Sequence, residues 1–229
     1  MFIGHFAAGF AAKNILKKSA PAVSLGTLFI AAQFIDLLWP TLLLVGIERV
    51  SIEPGNTAFT PLNFLFYPIT HSLVAVVFWA SLFGMAVMLI RRNIAAAVTV
   101  PLLVLSHWFL DLLTHRPDLP LVPGGRVFVG LGLWNSVTWT LIVEIALFIL
   151  GVWLYVRATV AKNRTGTWAL WGLVGFLAAI YLGNVFGPPP PSVKAIAIAG
   201  HAMWLLVLWG YWIDRNRTVP NILNIPTQG

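Results

Sequence analysis

Residues 106–117 read Ser-His-Trp-Phe-Leu-Asp-Leu-Leu-Thr-His-Arg-Pro, and this stretch places potential metal ligands inside an apolar run. His107, Asp111 and His115 are each four residues apart, so on a helix their side chains stack on one face. Arg116-Pro117 favours the end of that helix, because a residue before proline is driven out of the helical region. The spacing therefore predicts a helix carrying His107 and Asp111 on one stripe, with His115 in the loop that follows.

The composition around this stretch is that of an integral membrane protein. The chain has 229 residues, of which 59% are hydrophobic and 9% are charged. This leaves too little polar surface for a soluble domain of that length. Several apolar stretches reach the roughly 20 residues that a helix needs to cross a bilayer. We therefore expect an all-α, polytopic membrane helical bundle that forms a single domain over residues 1–229.

The apolar runs predict about six transmembrane helices and a short N-terminal helix over residues 1–18. The transmembrane bundle is expected over 24–213 and a cytoplasmic, loosely ordered tail over 214–229. The predicted spans are 24–47, 70–90, 94–114, 131–156, 168–186 and 193–213. Residues 48–68 are predicted to be a mixed loop, and Pro188–Pro191 a stiff connector. The N-terminal lysines follow the apolar run, the reverse of a cleavable signal peptide, so we expect this helix to be retained.

Basic residues predict the orientation of the bundle. In a six-span arrangement ten of them fall on one side: Lys13, Lys17, Lys18, Arg91, Arg92, Arg157, Lys162, Arg164, Arg215 and Arg217. Arg49, Arg116, Arg126 and Lys194 fall on the other side. By the positive-inside rule the first side is cytoplasmic, with the N-terminal basic segment and the C-terminus. Such scattered charges favour topology over a nucleic-acid partner. A multi-pass protein of the bacterial inner membrane is expected.

The polar residues inside the apolar runs can be placed at a similar depth. At 1.5 Å per residue, Asp36 lies about 18 Å from the cytoplasmic start of its helix, and His107 about 20 Å from Ile94. His71 lies at the outer end of its helix, and His5 can reach the same level from a half-spanning N-terminal helix. We therefore expect the five ligand-type residues to share the outward-facing half of the bundle.

A divalent metal ion is the simplest partner for the intramembrane carboxylates Asp36 and Asp111. A lone carboxylate at such a depth costs at least ~2.5 kcal/mol. The chain has no cysteine, so a metal must be held by imidazole and carboxylate groups. This mixture suits Zn²⁺, and also Mn²⁺ or Fe²⁺. The candidate metal ligands are His5, Asp36, His71, His107 and Asp111.

At these residues the chain resembles the YdjM-like family of membrane-bound metal-dependent hydrolases. The matching elements are His5-Phe-Ala-Ala-Gly9, Ile35-Asp36-Leu37, Thr70-His71-Ser72 and Ser106-His107-x-x-x-Asp111. Their order is also similar to half of the site in the zinc-dependent phospholipase C and P1 nuclease group, which cleaves phosphoester bonds. The aspartate is preceded here by Gln33-Phe-Ile, in place of the Pro-Asp-x-Asp-like element usual in the family.

The resemblance implies a hydrolase that acts on a small-molecule or lipid phosphoester within the membrane lipid. It implies that Asp36, His71, His107 and Asp111 hold one metal, and that Asp111 bridges to a second metal near His5. Asp36 and Asp111 are the candidate catalytic carboxylates, with Asp36 or a nearby carboxylate accepting a proton from water that the metal activates. The sequence does not indicate an oligomeric state.

Further polar residues are candidates for outer partners of the ligands or for substrate contacts: His115, Arg116, Arg126, Glu144 and His201. For Glu144 and His201 a hydrogen bond between packed helices is the favoured interpretation. A loop arginine is usually only solvated, although its guanidinium group suits a phosphate.

Two other functions remain open from the sequence. One is a transporter or proton or cation pathway that uses the same buried His/Asp cluster, for which a continuous polar path through Glu144 to the cytoplasm would be the sign. The other is a non-catalytic protein that keeps the metal for structure, which would lack an open coordination position.

Overall fold

The computed structural model describes residues 1–220 and confirms the all-α, polytopic helical bundle. Six of the helices in this range are long and apolar enough to cross a membrane. The helices are α1 (Ile3–Leu16), α2 (Leu25–Leu44), α3 (Pro68–His71), α4 (Leu73–Arg91), α5 (Ile94–Thr114), α6 (Val137–Ala158), α7 (Arg164–Phe186) and α8 (Val193–Arg215). The bounds of α5 agree with those predicted, whereas α6 begins six residues later and α7 four residues earlier than expected.

Capping side chains determine where the long helices begin. A serine or asparagine precedes each of them and accepts a hydrogen bond from the backbone N–H three residues further on. These bonds satisfy N–H groups that have no partner within the helix. The capping residues are Ser24, Ser72, Asn93, Ser136, Asn163 and Ser192.

The expected single span over 70–90 is wrong at its first turn. Ser72 adopts an extended conformation, with ψ of 142°, and separates α3 from α4. Its hydroxyl donates to the carbonyl of Pro68 at 2.6 Å and accepts from the N–H of Ala75, so it closes one helix and opens the next. His71 is consequently the last residue of a short, separate helix.

Three short antiparallel strand pairs add to the helices in the described residues. Strands β1 (Arg49–Ile52) and β2 (Leu62–Phe66) form a hairpin within the segment 48–68 that was predicted to be a mixed loop. The turn includes Gly55 at φ +90°, a conformation that glycine adopts without strain. The other pairs are β3 (Leu119–Pro120) with β4 (Phe128–Val129), and β5 (Val160–Ala161) with β6 (Arg217–Thr218).

The short helix α1 lies inside the bundle. Most of its residues are buried, and it packs chiefly against α6 and α2. The contact with α6 is very close at Gly151, where an added Cβ would lie 2.4 Å from the carbonyl oxygen of Ala7. Glycine at this position therefore lets α1 occupy the core and carry His5 into it.

Loops that carry basic residues meet at one end of the bundle. Asn93 donates to the carbonyl of Ser19 at 2.9 Å, and the Lys162 ammonium donates to the carbonyl of Arg215 at 3.1 Å. At the same end the Lys13 ammonium lies 3.2 Å from a carboxylate oxygen of Asp214.

The segment after residue 213 is more ordered than expected, up to the end of the described range. Helix α8 continues to Arg215, and the next residues form β6. Arg217 is 8% exposed, and its guanidinium group donates to Thr159 and Gly166. Residues 221–229, the remainder of the predicted tail, lie outside the described residues.

Candidate metal centre

Four helices bring the predicted ligands together. His5 comes from α1, Asp36 from α2, His71 from the end of α3, and His107 and Asp111 from successive turns of α5. The two aspartates and three histidines form two overlapping groups that could each hold a metal ion: His5, His107 and Asp111 in one, and Asp36, His71 and His107 in the other. The four side chains other than Asp36 are buried, whereas the Asp36 side chain is 23% exposed. The cluster therefore reaches the molecular surface at Asp36.

The distances between ligand atoms match the edges of a small coordination polyhedron. The Nε2 atom of His107 lies 3.6 Å from Asp36 Oδ1 and 3.2 Å from Asp111 Oδ2. The corresponding distances from His71 Nε2 are 3.5 Å and 3.8 Å. A tetrahedral ion with bonds of about 2.0–2.2 Å places neighbouring ligand atoms about 3.3–3.6 Å apart. These four nitrogen–oxygen distances therefore lie near the separation that an ion requires, and His107 is shared by the two groups that could each hold one.

The orientation of His107 leaves a buried nitrogen directed into the cluster. Its Nδ1 lies 2.9 Å from the carbonyl oxygen of Ala32, which can only accept, so Nδ1 donates. Its Nε2 is buried and makes no hydrogen bond within residues 1–220, although Asp111 Oδ2 is near. A metal-bound imidazole commonly uses its other nitrogen as a donor in this way. The donor set therefore fits a metal ion.

His5 contacts the opposite side of the Asp111 carboxylate. Its Nε2 lies 3.1 Å from Asp111 Oδ1, and its ring stacks on His107 with centroids 3.7 Å apart. The α-amino group of Met1 lies 2.6 Å from the same oxygen. The two oxygens of Asp111 thus face different partners: Oδ1 faces α1, and Oδ2 faces His71 and His107.

Glu144 and His201 hold helices together, as the favoured interpretation predicted. One carboxylate oxygen of Glu144 accepts from the N–H groups of Phe2 and Gly4 at 2.9 and 3.4 Å, so it fixes the first turn of α1 against α6. His201 contacts Thr41 at 3.1 Å and joins α8 to α2. Glu144 therefore holds α1 in position through this oxygen, and His201 belongs to a different helix contact.

His115 lies at the outer end of α5 in a separate polar network. Its ring is buried 4.3 Å from that of Trp134, and its Nδ1 lies 2.9 Å from Asp118 Oδ1. Burial lowers the pKa of His115, so the neutral ring donates to Asp118. Burial and the nearby Asp118 carboxylate raise the pKa of Tyr67 well above its ordinary value, so its hydroxyl stays protonated and donates to the same oxygen at 3.1 Å. This network lies beside the cluster, since the His71 and His115 ring centroids are 6.5 Å apart.

The two outer arginines are not joined to the cluster. Arg116 donates to Asp118 Oδ2 at 3.1 Å and to the side-chain oxygen of Asn63, and it belongs to the same hydrogen-bond network as His115. Arg126 is exposed in the loop between β3 and β4 and makes no hydrogen bond or ion pair within residues 1–220.

Glu48 and Thr70 border the cluster; Glu48 was not anticipated from the sequence, and Thr70 was noted only as part of the element Thr70-His71-Ser72. Glu48 is 1% exposed and accepts from the N–H groups of Ile69 and Thr70 and from the Thr70 hydroxyl. The Thr70 hydroxyl also contacts Nδ1 of His71 at 2.7 Å. Glu48 stands beside Arg49 in a segment that resembles an exposed loop, so no local pattern distinguishes it from a surface charge.

No family model, curated protein or solved structure matches this chain. Fold and site together define a multi-pass membrane protein with a buried His/Asp cluster that could hold a metal ion.

Proposed function

We propose that this protein is a membrane-embedded, metal-dependent hydrolase whose ion is held by Asp36, His71, His107 and Asp111. The observation that carries the proposal is the spacing of their ligand atoms, 3.2–3.8 Å between imidazole nitrogens and carboxylate oxygens. The competing explanation is helix packing through a protonated His107, whose Nε2 would pair with Asp111 Oδ2 at 3.2 Å and Asp36 Oδ1 at 3.6 Å. A bound cation would account for the spacing of all four side chains.

Two imidazoles and two carboxylates favour zinc, with manganese or iron as alternatives. When bound, such an ion would polarise the scissile group and lower the pKa of water towards ~7. His71, His107 and Asp111 are buried and would hold it without exposing it to bulk water. Asp36 is the member with an exposed edge, which supports its assignment as the carboxylate that would accept a proton from an attacking water.

The substrate class rests on the resemblance to YdjM-like membrane hydrolases, to which we propose this chain is related. A phosphoester, carried by a lipid or a small molecule, would reach Asp36 from the lipid or from the outer face. The loops rich in basic residues lie at the end of α1 remote from His5. With that end cytoplasmic in a bacterial inner membrane, the cluster lies in the outer half of the bilayer.

A transporter that uses the same residues is less well supported. Between His5 and the basic end of α1, the rings of Phe6 and Phe10 pack edge to face on Phe29, and Phe10 also packs against Phe148. These rings are buried, so an apolar layer separates the cluster from the basic face. Glu144 hydrogen-bonds the first turn of α1 and does not extend a polar path through that layer.

Elemental analysis of detergent-purified protein tests the metal site. We expect close to one zinc or manganese ion per chain in the wild type, and almost none in His107→Ala and Asp111→Ala, because each variant removes a ligand. His201→Ala is the matched control, since it removes a histidine that contacts a different helix pair and should keep the ion.

Absence of a transition metal from wild-type protein prepared without chelator would contradict the proposal of a metal-dependent hydrolase. If the metal is present, hydrolysis of phosphomonoester and phosphodiester model substrates, including lipid phosphates, should depend on it. Metal-loaded protein without activity on any of them would instead indicate a structural ion.

A further inference from the structure

We infer that Glu48 and Thr70 set the tautomer of His71, so that its Nε2 presents a lone pair to the cluster. This inference rests on the proposed metal site, to which it adds two positioning residues. Within residues 1–220 neither side chain forms a hydrogen bond or ion pair with the other cluster members, so both act through His71.

The side chains of Glu48, Thr70 and His71 form a continuous series of short polar contacts. The Oε2 atom of Glu48 lies 2.6 Å from the hydroxyl oxygen of Thr70, which lies 2.7 Å from His71 Nδ1. All three residues are at most 3% exposed. Water therefore does not compete for these bonds, and their directions are determined by the groups themselves.

The direction of each of these hydrogen bonds follows from Glu48, the acceptor at the end of the series. The other oxygen of Glu48 already accepts from the N–H groups of Ile69 and Thr70, at 2.8 and 2.9 Å, as a carboxylate does. The single hydroxyl proton of Thr70 is therefore donated to Glu48, and the hydroxyl oxygen can only accept from His71. Nδ1 consequently carries the ring proton, and Nε2 of the neutral imidazole carries the lone pair.

That lone pair faces two oxygens that also carry lone pairs. His71 Nε2 lies 3.5 Å from Asp36 Oδ1 and 3.8 Å from Asp111 Oδ2. Three acceptors directed at one point repel one another unless a cation lies among them. The Glu48–Thr70 pair thus prepares His71 for a metal in the same manner as the Ala32 carbonyl prepares His107.

Substitutions at Thr70 separate the positioning role from a packing role. Thr70→Val keeps the shape and removes the hydroxyl, whereas Thr70→Ser keeps the hydroxyl. We expect Thr70→Val to weaken zinc binding by about 10–100-fold, the usual effect of losing a partner of a metal-bound histidine. Thr70→Ser should restore most of the affinity. Competition with a chromogenic zinc chelator measures both, with thermal unfolding of the zinc-free variants as a check on folding.

Glu48→Gln tests the acceptor at the end of this series of hydrogen bonds. A glutamine can accept from the two backbone N–H groups through its single oxygen, but its amide nitrogen cannot accept from Thr70. We expect weaker zinc binding here as well. Glu53→Gln is the matched control, because Glu53 is on the same hairpin but exposed, with Ser51 and Asn63 as its partners. It should leave zinc affinity unchanged.

The tautomer itself provides a readout that does not need the metal. In zinc-free protein labelled with ¹⁵N-histidine, His71 should show a protonated Nδ1 and an unprotonated Nε2, with the signal assigned by its loss in His71→Gln. Thr70→Val should populate the other tautomer or the doubly protonated ring. Wild-type zinc affinity in Thr70→Val, or an unchanged His71 spectrum, would overturn the inference. If wild type binds no zinc, the proposed function fails, and the spectrum still decides whether Thr70 sets the tautomer.

Discussion

The two carboxylate oxygens of Asp111 face different histidines. Its Oδ2 lies 3.2 Å from His107 Nε2 and 3.8 Å from His71 Nε2, where a shared ion fits. Its Oδ1 lies 3.1 Å from His5 Nε2, at ordinary hydrogen-bond length. We therefore interpret His5 as a partner that orients Asp111, in a site where Asp36, His71, His107 and Asp111 are the four ligands of one ion.

This interpretation predicts that His5→Ala keeps the ion but binds it less tightly. We expect one ion per chain at saturating zinc and an affinity about 10–100-fold lower, because Asp111 loses an orienting hydrogen bond. Elemental analysis and chelator competition measure the two quantities. A fall from two ions to one would contradict this view and support the second metal near His5 that the family resemblance implies.

Among the elements, α1 has the most unusual position, because a helix of 14 residues occupies the middle of the bundle. Its first turn is fixed by Glu144, and its flank lies against Gly151 of α6. The sequence predicted the existence and length of α1 from its apolar run. Its close approach to α6 depends on the absence of a side chain on the other helix, which a pattern within α1 does not contain.

The α1–α6 contact predicts a large effect from one methyl group. Gly151→Ala would place Cβ 2.4 Å from the carbonyl oxygen of Ala7, so the two helices must separate. We expect a loss of about 1–3 kcal/mol, seen as a lower thermal unfolding temperature in detergent, together with weaker zinc binding because His5 moves.

Gly175→Ala provides the comparison for this substitution. Gly175 is an exposed helical residue of α7, and nothing lies within 4 Å of an added Cβ. We expect no loss of stability there, or a small gain from the better helix propensity of alanine. Equal destabilisation by both substitutions would show that the α1–α6 approach is not the cause.

At the scale of the whole molecule, the ends of the bundle differ in charge and in structure. One end carries most of the basic residues, clamped by pairs such as Lys13 and Asp214. The other end carries the β1–β2 hairpin and the network around Asp118, next to the His/Asp cluster. The cluster is therefore much nearer to one end of the bundle than to the other.

The distribution of charge predicts which face that is. The chain contains no cysteine, so single cysteines report accessibility without a background. In spheroplasts, a membrane-impermeant maleimide should label Arg126→Cys directly and Lys18→Cys only after permeabilisation. Both positions are exposed, so the comparison reports sidedness and not burial. The reverse pattern would place the cluster in the cytoplasmic half and contradict the proposed orientation.

The sequence by itself determined the membrane class, the number of long apolar helices and the chemical types of the five candidate ligands. Hydropathy, helical rise and i,i+4 spacing are local properties, so they can be read along the chain. Only the tertiary structure decided that Ser72 breaks a span at His71, and that Glu48 reaches Thr70. The break is local, since Ser72 bonds Pro68 and Ala75, but a serine is compatible with a helix interior as well as with a cap. Glu48 and Thr70 are 22 residues apart, and their contact is selected by burial and by hydrogen-bonding groups that need a partner, which leaves no periodic signal in the sequence.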